Sequence, residues 1–183
     1  MAKTILDGAM GTMLQSLGLG IGEKPELFAL RNPEAVLSVQ KDYMKAGSDV
    51  LYSNTFGANR KKLEGSGVSV EEAITTNIRI ARQAAESADR QIRVALDIGP
   101  IGELMEPLGI LSFDEAYDIF RQMAVCGEQA GADLVIFETF TDLQELRSAV
   151  LAAKENTTLP VWTTMSFEEN GRTLQERIFR AWQ

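Results

Sequence analysis

The sequence predicts an α/β fold built on a parallel sheet, and three observations predict it. The first is alternation. Strand-like and helix-like segments follow one another as four strand–helix pairs and then a fifth strand, the pattern of parallel strands joined by right-handed crossovers. The second is a shared start signal in three helices: Ser69-Val70-Glu71-Glu72, Ser112-Phe113-Asp114-Glu115 and Thr141-Asp142-Leu143-Gln144. In each, the hydroxyl and the acid or amide three residues on can satisfy orphan N–H groups reciprocally. The third is an internal repeat. Residues 46–56 match residues 130–140 with five identities (Ala, Gly, Asp, Thr and Phe), and Asp49 and Asp133 stand 84 residues apart. That offset spans two strand–helix units, the spacing of strands that fill one interior layer of a (β/α)8 barrel. A plainer reading, that Thr-Phe is a recurrent strand-to-loop turn, stays open on the residues alone. The fold class is therefore read as the N-terminal part of a (β/α)8 TIM barrel, with about four and a half β/α units and parallel strands.

Taken in order, Thr4 to Leu6 is a short apolar strand stopped by Asp7-Gly8, a tight-turn dipeptide. Ala9 and Gly11 follow, and so small a loop leaves backbone N–H groups open to an anion. Asp7 stands at the carboxyl end of that strand, where α/β folds keep their ligands. One loop could thus grip both ends of an amino acid: Asp7 the ammonium, the backbone the carboxylate. Asp-Gly also serves as a plain turn. Gly18 to Gly22 is a glycine-rich loop. The first clear helix opens at Asn32-Pro33-Glu34, with a good N-cap, a proline suited to the first turn and an acid at the positive end. Val36, Val39, Tyr43 and Ala46 form its apolar face, and Gly47 ends it. The later strands are read at Asp49 to Ser53, Ile92 to Leu96, Leu134 to Phe137 and Val161 to Phe167, the last opened by Pro160.

Composition bounds the function. The chain has 183 residues, 45% apolar and 24% charged, which suits one domain with a real core. A net charge of -8 argues against binding a phosphate backbone, so no nucleic-acid partner is expected. No apolar run is long enough to span a membrane, so no membrane partner is expected either. A single cysteine suits a reducing cytoplasm, and the absence of histidine removes Ser-His-Asp and Cys-His nucleophile systems and His-ligated metals. The N-terminus reads as a short polar lead into a strand rather than a signal peptide.

The polar groups at strand ends are Asp7, Asn54, Asp97 and Glu138. A carboxylate pair with an amide could bind an ammonium, and two carboxylates could also do glycosidase-style acid–base work. The spacing does not choose between them. Asp97, before Ile98-Gly99-Pro100, reads equally as a turn cap. Cys126 lies mid-helix on the flank of the apolar face of the Phe113–Ala130 helix and reads as a small packed hydrophobe, with no group placed to activate it.

Five motifs in order, Leu6-Asp7-Gly8-Ala9-Met10-Gly11-Thr12, Ser53-Asn54-Thr55-Phe56, Asp97-Ile98-Gly99-Pro100, Glu106-Pro107-Leu108-Gly109 and Phe137-Glu138-Thr139-Phe140, resemble the homocysteine S-methyltransferase family. The resemblance covers about residues 4 to 174. It is strongest to the homocysteine-binding domain of the cobalamin-dependent branch that makes methionine. It implies a barrel in which zinc holds the homocysteine sulfur as thiolate for a methyl donor, with cobalamin or folate as the donor system. It also implies that Asp7, Gly8, Ala9, Asn54 and Glu138 line the homocysteine site.

The departures are plain. The family's zinc is held by three cysteines in a Gly-Ile-Asn-Cys type and a Gly-Gly-Cys-Cys type motif; neither occurs here and Cys126 matches neither. No catalytic or metal-ligating residue is therefore assigned. Residues 1–174 are read as a partial homocysteine-binding barrel and 175–183 as a divergent tail, with truncation or a frameshift as the expected cause and inactivity as the expected result. The rival reading is a non-catalytic half-barrel that binds a small amino acid or a partner half. Open sheet edges lead to an expectation of self-association, with the tail packed on apolar surface through Leu174, Ile178, Phe179 and Trp182.

Overall fold

A computed structural model describes residues 3–169 and 171–173. Its helices and strands are α1 (Gly11–Ser16), α2 (Pro25–Arg31), α3 (Pro33–Lys45), β1 (Val50–Tyr52), α4 (Val70–Glu86), β2 (Arg93–Ile98), α5 (Phe113–Gln129), β3 (Leu134–Phe140), α6 (Leu143–Asn156) and β4 (Val161–Met165). The strands lie side by side in chain order, every pair parallel. Each neighbouring pair is joined by a helix, so the sheet grows in one direction, as a barrel wall does.

Strand alternation sorts the sheet into two faces. Leu51, Val94, Leu96, Ile98, Val135 and Phe137 face the helices and join the main core. Val50, Ala95, Leu134 and Ile136 point the other way and form a second, smaller cluster with Leu6, Tyr52 and Trp162. The second face is the interior of the partial barrel, and the site is built at its carboxyl end.

The sequence repeat is a structural repeat. Ala46 and Ala130 close their helices, and Gly47 and Gly131 follow at φ 112° and 90°. Ser48 and Ala132 then donate back to Tyr43 O and Gly127 O, the closing bond of a glycine-capped helix. Asp49 and Asp133 do one job: each accepts the N–H of the preceding strand segment, Ile5 at 2.9 Å and Val94 at 2.7 Å, and pairs with an arginine, Arg90 or Arg82. The carboxylates stitch the amino-terminal ends of neighbouring strands together, far from the site.

Several expectations are corrected. The stretch Thr4 to Leu6 makes one isolated bridge, Leu6 to Val50, rather than a strand, so four strands and a bridge stand where five strands were expected. Its one-sided pairing is too short to form a ladder. Helices α1 and α2 were not anticipated; α2 opens on Pro25 with Glu26 in its first turn, a start signal hidden by the glycines before it. Asn32 does not cap α3 through its side chain: its amide donates back to Phe28 O, closing α2. The third capping box has slipped by one residue, and Asp142 accepts from the amides of Gln144 and Glu145. Ser69 and Ser112 cap as expected, accepting from Glu72 N at 3.0 Å and Glu115 N at 3.1 Å. Glu115 itself turns to Lys61 at 2.9 Å. The strand read to Phe167 ends at Met165. The tail expected to pack through Leu174, Ile178, Phe179 and Trp182 lies outside the described residues.

Gly127 shows how closely α5 lies on the sheet. A Cβ there would stand 2.3 Å from Leu96 Cδ2 on β2. Gly127→Ala is expected to cost about 1–3 kcal/mol through overpacking. Urea unfolding checks this; a loss within experimental error would show that Leu96 can turn away.

Candidate active site

Continuing each inner-face column by one more step of two residues places the site. On β1 the column runs Val50, Tyr52; on β2 Ala95, Asp97; on β3 Leu134, Ile136, Glu138. The apolar layer gives way to polar groups at the carboxyl end, as in barrel enzymes generally. Asp7 follows Leu6, and its Oδ2 accepts from Tyr52 N at 2.8 Å, so the carboxylate takes up the backbone bond a longer strand would have made. Asp7, Tyr52, Asp97 and Glu138 line a cavity of about 430 Å³ together with Gly8, Ala9, Asn54 and Glu26, within the size range of small-ligand pockets.

The loop at Asp7 is clamped by α3. Tyr43 donates its hydroxyl to Ala9 O at 2.8 Å, and a Cβ on Gly8 would lie 2.8 Å from the Tyr43 ring. Gly8 is needed for that close approach. Asn54 is buried and uses its amide as a brace, donating to Pro25 O at 2.8 Å and Asn77 Oδ1 at 3.0 Å. It thereby ties the cavity wall to α2 and α4.

Glu138 sits on an irregularity. The β3–β4 register shifts between Phe137 and Phe140, and Thr139 has φ 58°, an outlier for a β-branched residue. Thr139 N donates to Thr164 Oγ1 at 2.9 Å, which holds the bulge against β4. Backbone strain of this kind is characteristic of positions that aim a functional side chain.

The electrostatics are one-signed. Burial chiefly, with the Glu138 charge adding to it, pushes Asp7 up to about 7, while the Tyr52 amide opposes the shift. Burial raises Glu138 as well. Asp97 is pushed well above the ordinary range by burial, then by Glu138, Asp7 and Glu26. The Tyr52 phenol is raised by burial and by the same carboxylates. Asp7 Oδ1 and Asp97 Oδ1 are buried without a hydrogen-bond partner, a state that costs about 1–3 kcal/mol per group until something donates to it. Acids line the cavity, and no lysine or arginine is among its lining residues.

One stability consequence follows. Asp7 and Glu145 both rise to about 7 in the folded protein, Glu145 mainly through burial, with the Asp142 charge adding to it and the Ile101 amide and Lys62 opposing it. Unfolded, these carboxyls ionise near about pH 4. Between those values the native state holds protons that the unfolded state has released, so stability is fully present below about pH 4 and falls as pH rises toward about 7. Thermal melts are expected to give a higher Tm at pH 5.5 than at pH 7.5 from these two groups; a Tm that rises across that interval would contradict the assignment.

The geometry now stands beside known proteins. The model of the family described as homocysteine S-methyltransferase matches residues 4–182. The chain belongs to the homocysteine S-methyltransferase family. Methionine synthase of Mycobacterium tuberculosis is 29% identical over 184 residues, covering 92% of this chain and 15% of that protein. Betaine–homocysteine S-methyltransferase 1 of Sus scrofa is 32% identical over 149 residues, 78% of this chain and 51% of that protein. The chain thus spans about half or less of the length of these relatives. The crystal structure of the oxidized form of the homocysteine methyltransferase MmuM from Escherichia coli superposes with a TM-score of 0.82 at 22% identity, covering 96% of this chain and 66% of that one. At that identity the likeness speaks to the fold, and it agrees with the α/β partial barrel.

The family resemblance implies zinc, and the residues present do not fit it. Zinc sites of this kind need thiolate or imidazole ligands, and the sequence has one cysteine and no histidine. Cys126 is on α5, packed against the helix-side core, with its thiol pushed up by burial and by Glu71. It does not line the cavity. Among the described residues, no group of three or more His, Cys, Asp or Glu is arranged to hold a metal. Among them also, no helix is long and apolar enough to cross a membrane.

Of the residues singled out in the sequence, Asp7, Gly8, Ala9, Asn54 and Glu138 come together around one cavity, and Asp97 joins them. Sequence reasoning missed Tyr52 and Glu26. Tyr52 was findable, since it shares the inner column with Val50. Glu26 was not, because its place depends on α2 folding back so that its carboxylate accepts from Gly57 N.

Proposed function

We propose that this chain is the homocysteine-binding portion of a homocysteine S-methyltransferase domain. Asp7 and Glu138 take the ammonium of the amino acid, and the backbone of Gly8 and Ala9 faces its carboxylate. The observation that carries this reading is the convergence of buried carboxyls, two with an unpartnered oxygen, on a cavity floored by a clamped Asp-Gly-Ala loop. A site with donors missing and acceptors in place selects a ligand that brings N–H groups.

The proposal gives methyl transfer no catalytic residue here. A zinc-held thiolate needs a set of thiolate or imidazole ligands that this sequence, with one cysteine and no histidine, does not contain. Purified protein is accordingly expected to retain no stoichiometric zinc; metal analysis showing one tightly bound zinc per chain, lost in Cys126→Ser, would overturn that. The binding reading is tested by titrating L-homocysteine and L-methionine into the protein and following the heat. Saturable binding of either supports it, and no heat at millimolar ligand rejects it.

A second reading rests on the sheet. Among the described residues β4 is paired on one side only, and β1 has a single bridge on its outer side. Such edges pair with other chains, so the half-barrel would self-associate or bind a partner half. A monodisperse monomer in light scattering would count against it.

A further inference from the structure

A lysine stands behind one wall of the cavity. Phe56, in the loop after β1, lines the cavity, and Lys62, six residues on, does not. The tip of the Phe56 ring is pressed on Gly99 in the loop after β2: a Cβ there would stand 2.3 Å from Phe56 Cζ. Gly99 N also donates to Phe56 O at 2.9 Å. The Lys62 ammonium lies over the ring, 5.3 Å from its centroid, and donates to Pro100 O at 2.8 Å. One cation thus holds a ring from its own loop and a carbonyl from the next.

The path of the lysine is built. Its stem passes two glycines: a Cβ on Gly57 would lie 3.3 Å from Lys62 Cδ, and one on Gly102 would lie 3.2 Å from Lys62 Cε. Lys62 N donates to Asn59 Oδ1 at 2.9 Å, and Lys62 O accepts from the Lys24 ammonium, so its backbone is fixed as well. Burial lowers the proton affinity of the ammonium, and the Glu26 and Glu145 charges oppose that. An unbranched apolar chain would fill the same path without taking a charge out of water. Packing alone therefore does not account for a lysine here.

We propose that Lys62 is a positioning residue, whose ammonium pins the Phe56 ring as an apolar wall of the cavity and ties the loop after β1 to the loop after β2. What that wall serves rests on the amino-acid reading given above. Met10, Pro25 and Phe56 are the large apolar residues of a lining otherwise rich in acids, so the ring meets the side chain of the ligand rather than its charged ends. A cation within about 6 Å of a ring centroid is attracted to the ring face, more strongly where water is excluded. A ring held in that way keeps its place when the cavity is empty.

Two measurements on the full chain test this. The first needs no ligand. The protein is labelled with 13C in its phenylalanine rings, and Phe56→Leu identifies the Phe56 signal. Lys62→Met keeps the unbranched stem and removes the ammonium; it is expected to move or average the Phe56 signal and leave those of Phe120 and Phe137 in place. The second is calorimetric titration of L-methionine into wild-type protein, Lys62→Met, Phe56→Leu and the double variant. Lys62→Met is expected to weaken binding about fivefold, the scale of coupling between residues in contact, and the double variant to bind no worse than Phe56→Leu. A lysine that only stabilises the fold would give losses that add. An unmoved Phe56 signal in folded Lys62→Met, unchanged affinity, or additive losses would each overturn the proposal. If wild-type protein binds no L-methionine, the amino-acid reading fails and the ring signal alone decides whether Lys62 holds the wall. Should Lys62→Met not fold, Lys62→Gln, which is uncharged and keeps an N–H donor, replaces it in both measurements.

Discussion

Glu138→Ala is expected to weaken homocysteine binding about 10- to 150-fold, the equivalent of about 1.5–3 kcal/mol for a hydrogen bond to a charged group. Asp7→Ala is expected to fall in the same range. The two differ in what else they break. Asp7 Oδ2 accepts the Tyr52 amide, so its removal also leaves a backbone donor unpaired. Glu138→Gln is the cleaner variant. It keeps the shape and removes the charge, and it relieves the repulsion that Glu138 exerts on Asp7 and Asp97. It is expected to bind the amine poorly while melting no lower than wild type at pH 8. Loss of affinity with retained stability is the mark of a functional group held at a cost to the fold. Calorimetry and thermal melts on the three variants check this; unchanged affinity in both alanine variants would reject the assignment.

Phe120→Ala is expected to cost about 3–5 kcal/mol of stability, a large part of the about 5–15 kcal/mol of a typical domain. Phe120 is fully buried on α5. Its ring lies 5.9 Å from Phe137 at 81° and 5.8 Å from Phe140, while Phe137 and Phe140 meet at 5.9 Å and 90°. Edge-to-face contacts of this kind add to area burial. Phe137 and Phe140 flank Glu138 and Thr139, so the three rings anchor both ends of the bulge that aims the carboxylate. The variant is therefore expected to lose ligand affinity as well, although Phe120 touches no part of the cavity. Urea unfolding gives the first effect and calorimetry the second. A stability loss under about 1 kcal/mol would mean that the cavity collapses freely.

Much of this was legible before any coordinates. The Ser69 and Ser112 caps and the glycine after each repeated alanine are short-range chemistry: a hydroxyl or a residue without Cβ acts on backbone groups within a turn. The apolar runs read as strands at Asp49 to Ser53, Ile92 to Leu96 and Leu134 to Phe137 are likewise local. Where local signals misled, a neighbour competed. Asp142 out-competed Thr141 for the cap, and Asn32 served the helix before it rather than the one after.

The residues Asp7, Gly8, Ala9, Asn54 and Glu138 could be named from their motifs, because strand-end positions and family likeness both mark them. Their meeting in one cavity could not, nor could the place of Glu26, which depends on α2 folding back onto the site. Asp7, Asp97 and Glu138 lie far apart in the chain and are brought together by parallel register, which pairs Asp97 with Ile136 and so sets Glu138 one step beyond it on the same face. The raised proton affinity of these acids is likewise a property of burial and mutual charge, and it arises only once the sheet has assembled. Caps, turns and strand faces belong to the sequence because they depend on neighbours a few residues away. The site belongs to the tertiary structure because its chemistry depends on distances between strands.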